Sequence, residues 1–172
     1  STGVVSTLRF HPTRLELFSC ADDCHVRLWS LAKGKQLACL KAHNSLVRSL
    51  EFADGGDLLL SAGRDQIVVG WDLARGGRQV ATLPVLEAVE SARILPPGWR
   101  AAGRGGKKGD ARAMFHFATA GDRGELRVWE YPGGNCVATV PCPGPLTGLF
   151  VDERGDGVLV ATTFEHTILA YA

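Results

Sequence analysis

Apolar and polar residues alternate along this chain in short runs, and the period of an α-helix is found nowhere. The run at residues 8–10 returns at residues 50–52, each with apolar side chains two positions apart on one face. Corresponding runs start near Val89 and Leu146. Short turns rich in Asp and Gly lie between such runs, and these residues accommodate the backbone angles of tight turns. The pattern therefore predicts a chain built of repeated short antiparallel strands.

Each group of predicted strands carries one aromatic residue in the same place. These residues are Trp29, Trp71, Trp129 and Tyr171. They are separated by 42, 58 and 42 residues, and the longest interval contains a Gly- and charge-rich insert near residues 98–113. Without the insert the period is constant and falls within the ~40–45 residues of a WD repeat. Short four-stranded sheets arranged radially are propeller blades, so we predict an all-β WD40 β-propeller.

The repeats divide the whole chain, residues 1–172, into about residues 4–40, 41–83, 84–140 with the insert at 98–113, and 141–172. The first repeat has no outer strand before Val4, and the fourth stops just after its third strand, at Ala172. Neither end supplies the strand that would close a ring, and blade faces left uncovered would be apolar. We therefore expect about four consecutive blades of a larger propeller, of roughly seven blades, that is poorly soluble when expressed alone.

The second repeat carries a set of polar residues that the WD40 family uses to tie each blade together. These residues are His43, Ser61, Asp65 and Trp71. A buried imidazole and a buried indole N–H are costly unless they are hydrogen-bonded, and a hydroxyl and a carboxylate complete the pairing. A catalytic triad of the first three is rejected, because no nucleophile elbow surrounds Ser61. We predict a structural tetrad in this repeat alone, and no catalytic residue.

Composition and charge narrow the class of protein. Hydrophobic residues make up 45% of the chain and charged residues 22%, as in ordinary globular domains. The net charge of +1 draws the chain as a whole neither to nucleic acid nor to membranes, and no apolar run approaches the roughly 20 residues of a bilayer span. Five irregularly spaced cysteines favour a reducing compartment over a disulfide framework.

Cysteines can also bind a metal ion. Cys20, Cys24 and His25 lie close together, but no second pair of ligands follows at the spacing of a zinc finger. We therefore expect no metal, no cofactor and no small-molecule substrate.

Four stretches carry a resemblance to one family of propeller proteins. Residues 11–23, 61–73 and 117–130 have WD-type sequences, and residues 84–92 replace the usual Gly-His start of a repeat with the acidic–apolar sequence Pro-Val-Leu-Glu-Ala-Val-Glu-Ser-Ala. Together they resemble the transducin-beta-like, tandem-propeller WD subunits of the UTP-B complex in the small-subunit processome. The resemblance covers nearly the whole chain, and residues 84–92 are its most specific part.

The resemblance implies a function and a setting. The protein would be a non-catalytic scaffold of ribosome biogenesis, assembling the processome for pre-rRNA processing in the nucleolus. Its partners would be other WD40 subunits of a large ribonucleoprotein complex, with indirect or backbone contact to pre-rRNA or small nucleolar RNA. The alternative is a WD40 peptide-binding adaptor, such as a ubiquitin-ligase receptor or a chromatin reader. Fold alone does not separate the two, whereas flanking domains would.

The insert is the candidate RNA contact. It carries a net charge of +4, from Asp110 and the basic residues Arg100, Arg104, Lys107, Lys108 and Arg112. Such a loop suits phosphate neutralisation, while Trp99 is its one stacking group, so base-specific reading is not expected. The alternative for this segment is a solvated Gly-rich loop without a ligand.

The acidic–apolar start of the third repeat is the candidate protein contact. We expect it on a propeller rim, with contacts made by Pro84, Leu86, Glu87 and Glu90. The alternative is a purely structural variant of the way in which a repeat begins.

Overall fold

The computed structural model of the protein describes residues 3–96, 114–151, 159–163 and 168–171. In these ranges the chain forms fifteen strands in four sheets, and consecutive strands are neighbours in every sheet. The one helical segment described is a 3-10 turn at Asp54–Gly56. Among the described residues, therefore, no helix has the length and hydrophobicity that crossing a membrane requires.

The sheets follow the repeats of the sequence. Sheet 1 consists of β1 (Val5–Phe10), β2 (Glu16–Ala21), β3 (His25–Ser30) and β4 (Lys35–Lys41). Sheet 2 consists of β5 (Val47–Ala53), β6 (Leu58–Gly63), β7 (Ile67–Asp72) and β8 (Arg78–Pro84). Sheet 3 consists of β9 (Val89–Ile94), β10 (Phe115–Gly121), β11 (Glu125–Tyr131) and β12 (Cys136–Pro141). Sheet 4 consists of β13 (Leu146–Val151), β14 (Leu159–Thr163) and β15 (Ile168–Tyr171). The predicted all-β fold is confirmed.

Sheet 1 contains four strands, like sheets 2 and 3. Its outer strand is β4, which follows Trp29 in the chain. The short turn between β3 and β4 holds the two strands next to each other as an antiparallel pair.

Irregularities in strand pairing recur at equivalent places. The first two strands of sheets 1, 2 and 4 shift register at Val5/Thr7, Val47/Ser49 and Leu146/Gly148. The third and fourth strands of sheets 1, 2 and 3 shift register just before the repeated Trp. A bulge bends and twists a strand in a defined way, so the repeats share backbone geometry as well as sequence.

The chain divides into two compact units, Ser1–Glu90 and Ser91–Ala172. In the first unit one face of sheet 1 packs on one face of sheet 2, and Phe18, Cys20 and Val26 join Leu50 and Leu59 in a continuous apolar core. In the second unit the core is formed by sheets 3 and 4. Its fully buried members include Ala118, Ala120, Leu126, Leu146, Leu149 and Ala161. The period-two pattern of the sequence places these side chains on the buried faces.

Candidate functional site

The four polar residues of the second repeat form one chain of hydrogen bonds. The indole Nε1 of Trp71 donates to Ser61 Oγ over 2.8 Å. Ser61 Oγ lies 2.7 Å from His43 Nε2, and His43 Nδ1 lies 2.9 Å from Asp65 Oδ2. An indole only donates and a carboxylate only accepts, so Ser61 Oγ accepts the Trp71 N–H and His43 Nδ1 carries a proton. In the neutral imidazole, Nε2 accepts the hydrogen bond from the Ser61 hydroxyl.

Strand pairing brings these residues together from two strands and two connecting segments. Ser61 in β6 and Trp71 in β7 lie on neighbouring strands, His43 precedes β5, and Asp65 lies in the turn between β6 and β7. The main-chain N–H of Asn44 also donates to Asp65 Oδ2, over 2.9 Å. The four residues therefore link the start of the repeat to its second turn.

The residues of this chain of hydrogen bonds are buried, so losing one of the bonds costs stability. Ser61 is 0% exposed, and Trp71 and His43 are also buried. Burial disfavours the charged form of Asp65, but the hydrogen bonds from His43 and the Asn44 N–H outweigh it and hold the pKa of Asp65 below its usual value. The Ser61 hydroxyl is enclosed and engaged on both sides, an arrangement that joins elements and leaves no access for a substrate.

In the described part of sheets 1 and 3, the indole–hydroxyl pair of this arrangement is present. Trp29 Nε1 donates to Ser19 Oγ, and Trp129 Nε1 donates to Thr119 Oγ1, each over 2.9 Å. In the third repeat Val85 occupies the place that His43 has in the second, and its side chain is fully buried. An apolar residue fits there without the hydrogen-bond partners that an imidazole requires.

The candidate protein-contact segment alternates between buried and exposed positions. Val85, Glu87 and Val89 are buried, whereas Pro84 and Leu86 are exposed. Glu87 is only 1% exposed, so the expectation that it contacts a partner is wrong. Its side chain turns inward where the backbone bends at residues 86–87, between β8 and β9. Leu86, at 59% exposed, lies on the surface with the left-handed backbone angle φ of +60°, which side chains other than Gly, Asn and Asp rarely adopt.

Glu90 is held by two arginines that sequence reasoning did not single out. Arg48 Nε donates to Glu90 Oε2 over 2.9 Å, and Arg64 Nε donates to Glu90 Oε1 over 2.7 Å. The Glu90 side chain is 10% exposed, and those of Arg48 and Arg64 are 38% and 46% exposed. The carboxylate therefore anchors the two guanidinium groups, and these are what the surface presents.

A signal for this anchor was present in the sequence. Arg48 and Glu90 occupy the same place in successive repeats, 42 residues apart, with opposite charges. Arg9 and Glu51 are also 42 residues apart, and Arg9 Nη2 lies 2.8 Å from Glu51 Oε1. Equivalent positions of packed repeats lie side by side, so opposite charges at the repeat spacing indicate an ion pair.

The remaining candidates are the RNA-contact residues of the insert and the cysteines. The basic residues of the insert lie outside the described residues. Within the described part of the chain, no cluster of three or more His, Cys, Asp or Glu side chains is arranged to hold a metal ion. Cys20 is fully buried, and burial raises the pKa of its thiol.

Comparison with known proteins identifies the repeat and its relatives. The family profile "WD domain, G-beta repeat" matches residues 1–30 and 34–72. Transducin beta-like protein 3 of Mus musculus is 44% identical over 177 residues, and that of Bos taurus is 45% identical; both matches cover 99% of this chain and 21% of the relative. Nuclear distribution protein PAC1 of Arthroderma otae is 27% identical over 139 residues, covering 79% of this chain and 28% of the relative. The chain thus spans about a fifth of the length of the transducin beta-like relatives. The family profile confirms the first two of its predicted WD40 repeats.

Proposed function

We propose that the protein is a non-catalytic scaffold of ribosome biogenesis. The chain carries WD40 repeats, and nearly all of it aligns with transducin beta-like protein 3 at 42–45% identity. The observation that carries the proposal is the extent of this similarity, because 99% of the chain is covered. The matched range thus includes the unusual start of the third repeat, which is the most specific part of the resemblance to processome subunits.

The proposed setting is the nucleolus, where the protein helps to assemble the small-subunit processome for pre-rRNA processing. Its partners there are other WD40 subunits of this ribonucleoprotein complex. The chain spans about a fifth of its transducin beta-like relatives, so the partners of the whole protein belong to the proposal. The geometry of the second repeat supports a scaffold role, since His43, Ser61 and Trp71 are engaged in holding the sheet together.

The surface around the start of the third repeat is the proposed contact with a protein partner. Pro84 and Leu86 are exposed there, and Glu90 in the same segment anchors the guanidinium groups of Arg48 and Arg64. The main-chain N–H of Val85 donates to Gln66 O over 2.9 Å, which fixes this segment next to the turn that carries Arg64. A fixed apolar side chain together with pre-oriented cations suits an acidic partner surface, because little side-chain entropy is lost on binding.

Affinity purification of the full-length protein tests the scaffold proposal. We expect other WD40 subunits of the processome and pre-rRNA to copurify with it from nucleolar extracts. Depletion of the protein should lead to accumulation of unprocessed pre-rRNA. Copurification of ubiquitin-ligase subunits or histone tails, without processome subunits, would instead establish the adaptor function.

The basic insert is the proposed backbone contact with RNA. Deleting residues 98–113 should weaken crosslinking to RNA and flatten the salt dependence of binding, by about 0.7 in the log–log slope for each cation in contact with a single strand. A deletion variant that keeps the crosslinks and the slope of the unmodified protein would leave the insert without a role in RNA binding.

A further inference from the structure

Two exposed arginines of the second repeat are held by the same carboxylate. Arg48 lies in β5 and Arg64 in the turn between β6 and β7, and both belong with Glu90 to the first compact unit. Arg48 Nε donates to Glu90 Oε2 over 2.9 Å, and Arg64 Nε donates to Glu90 Oε1 over 2.7 Å. Because the two oxygens belong to one carboxylate, the two guanidinium groups are neighbours.

Most hydrogen-bond donors of these two guanidinium groups are unused. Arg64 Nη2 lies 2.5 Å from Glu90 Oε1. Among the described residues, Arg64 Nη1 and both amino groups of Arg48 have no hydrogen-bond partner. The side chains of Arg48 and Arg64 are 38% and 46% exposed, whereas that of Glu90 is 10% exposed. The anchor is therefore largely enclosed, and the unused donors belong to side chains that a ligand can reach.

The charges of the described residues leave this pair positive. Glu90 balances one of the two guanidinium charges. Asp65 follows Arg64 in the chain, but its carboxylate accepts from His43 Nδ1 and from the Asn44 N–H, over 2.9 Å each, and makes no ion pair with Arg64. One positive charge is thus left for an anion from outside the described chain.

The number of unused donors favours a phosphate monoester over other anions. A guanidinium group binds a carboxylate through two parallel hydrogen bonds, so one Asp or Glu side chain occupies one arginine. The phosphate of a phosphorylated side chain has three acceptor oxygens and a charge of about −1.5 to −2, so it can serve two arginines at once. A backbone phosphate of nucleic acid carries a single charge and has only two free oxygens, and it matches the pair less well.

The surrounding surface favours a peptide as the source of this phosphate. The segment that contains Glu90 also exposes Pro84 and Leu86, and Leu86 is 59% exposed. The Val85 N–H donates to Gln66 O over 2.9 Å, which ties this segment to the turn that follows β6. Exposed apolar residues suit apolar side chains of a peptide, whereas the bases of a single-stranded nucleic acid stack on aromatic groups, and neither residue offers one.

We propose that Arg48 and Arg64 bind a phosphoserine or phosphothreonine side chain of a partner protein. The phosphate accepts hydrogen bonds from amino groups of both arginines, while Glu90 keeps their Nε atoms in place and so reduces the entropy lost on binding. The inference rests on the protein contact put forward under the proposed function. It adds the chemical class of the partner and a means of regulation, because binding then follows phosphorylation of the partner.

The test uses the full-length protein and three synthetic peptides that differ at one central residue, which is phosphoserine, glutamate or serine, flanked by Gly and Leu. Ligand-observed NMR measures their dissociation constants, and broadening of the phosphorus-31 signal reports on the phosphate itself. We expect the phosphoserine peptide to bind about tenfold more tightly than the serine peptide and about threefold more tightly than the glutamate peptide. Equal binding of the phosphoserine peptide and either other peptide, or no binding of any, overturns the proposal without requiring a variant.

Two variants locate the binding. Arg48→Gln should weaken binding of the phosphoserine peptide about tenfold, while Glu90 stays paired with Arg64. The control, Arg75→Gln, removes an equal charge from a 73% exposed side chain beyond the opposite end of β7, and the affinity should stay within about twofold. If both variants weaken binding alike, general charge attraction accounts for it and the arginine pair is not the site.

A competition experiment separates the two sources of phosphate. Oligouridine RNA should displace the phosphoserine peptide poorly, and whatever displacement occurs should not depend on Arg48. RNA that binds through Arg48 more tightly than the phosphoserine peptide assigns the pair to nucleic acid and overturns the proposal. Copurification of processome subunits is measured without these peptides, so a failure of the phosphate site is distinguishable from a failure of the scaffold proposal.

Discussion

Replacing Ser61 by alanine is the most direct probe of the hydrogen-bonded chain in sheet 2. The hydroxyl accepts the Trp71 N–H and lies within hydrogen-bonding distance of His43 Nε2, so its removal leaves a donor and an acceptor without their partner. Both groups belong to buried residues. Water therefore does not readily replace the lost oxygen.

The expected magnitude follows from counting the groups left unpaired. Each buried polar group that loses its partner costs about 1–3 kcal/mol, so Ser61→Ala should destabilise sheet 2 by about 4 kcal/mol. The matched control is Ser19→Ala in sheet 1, where the equivalent hydroxyl serves Trp29 in a repeat without the histidine. One pairing is lost there beside a half-buried indole, and we expect about 1.5 kcal/mol.

Hydrogen exchange measured by mass spectrometry on the full-length protein separates the two sheets. Where opening limits exchange, Ser61→Ala should accelerate exchange in β6 and β7 by roughly three orders of magnitude, and Ser19→Ala should accelerate it in β2 and β3 by about tenfold. If the two variants accelerate exchange equally, the four residues do not act as a unit. Loss of a hydrolytic activity from Ser61→Ala with exchange unchanged would contradict the structural role altogether.

Three further predictions concern single positions. The pKa of Asp65 is lower in the folded state than its ordinary value of 3.8. The stability that Asp65 contributes is therefore present above pH 3.8 and is lost as the pH falls through the folded pKa. Asp65→Asn should reduce the difference in melting temperature between pH 7 and acid. Leu86→Gly should raise the free energy of unfolding, measured in urea, by about 1 kcal/mol, because glycine adopts a positive φ without strain. Leu31→Gly is the control: this residue lies in a turn but has no positive φ, so its free energy of unfolding should not rise. Leu8 is 49% exposed, whereas Leu50, at the same place in the next repeat, is 1% exposed. Leu8→Lys should therefore improve the solubility of the isolated chain, as measured by centrifugation. Leu50→Lys should unfold the chain, as measured by circular dichroism.

Repeat spacing explains why so much of the fold was predictable. A single repeat buries apolar residues at every second position and needs hydrogen-bond partners for its buried Trp and His. Both features can be recognised from the sequence of one repeat. Alignment at 42 residues therefore located the strands, the insert and the four residues that end at Trp71.

The candidate contacts show the limit of that reasoning. The sequence suggested that Glu87 lies on the surface, but its side chain is buried beside a bend at residues 86–87. Glu90 was named as a contact, but the structure shows it as the anchor for Arg48 and Arg64. These outcomes depend on which atoms come close together in the folded chain, and residue type alone does not determine that.

The amino-acid sequence by itself determined the four repeats, the positions of their strands and the residue types of the hydrogen-bonded chain. Those features depend on neighbours within one repeat or on the constant spacing between repeats. Only the tertiary structure decided that Phe18 and Cys20 of sheet 1 pack with Leu50 and Leu59 of sheet 2 in one core. The reason is that such groups meet across two packed sheets, where side-chain geometry, and not the period of the sequence, sets which atoms come within reach.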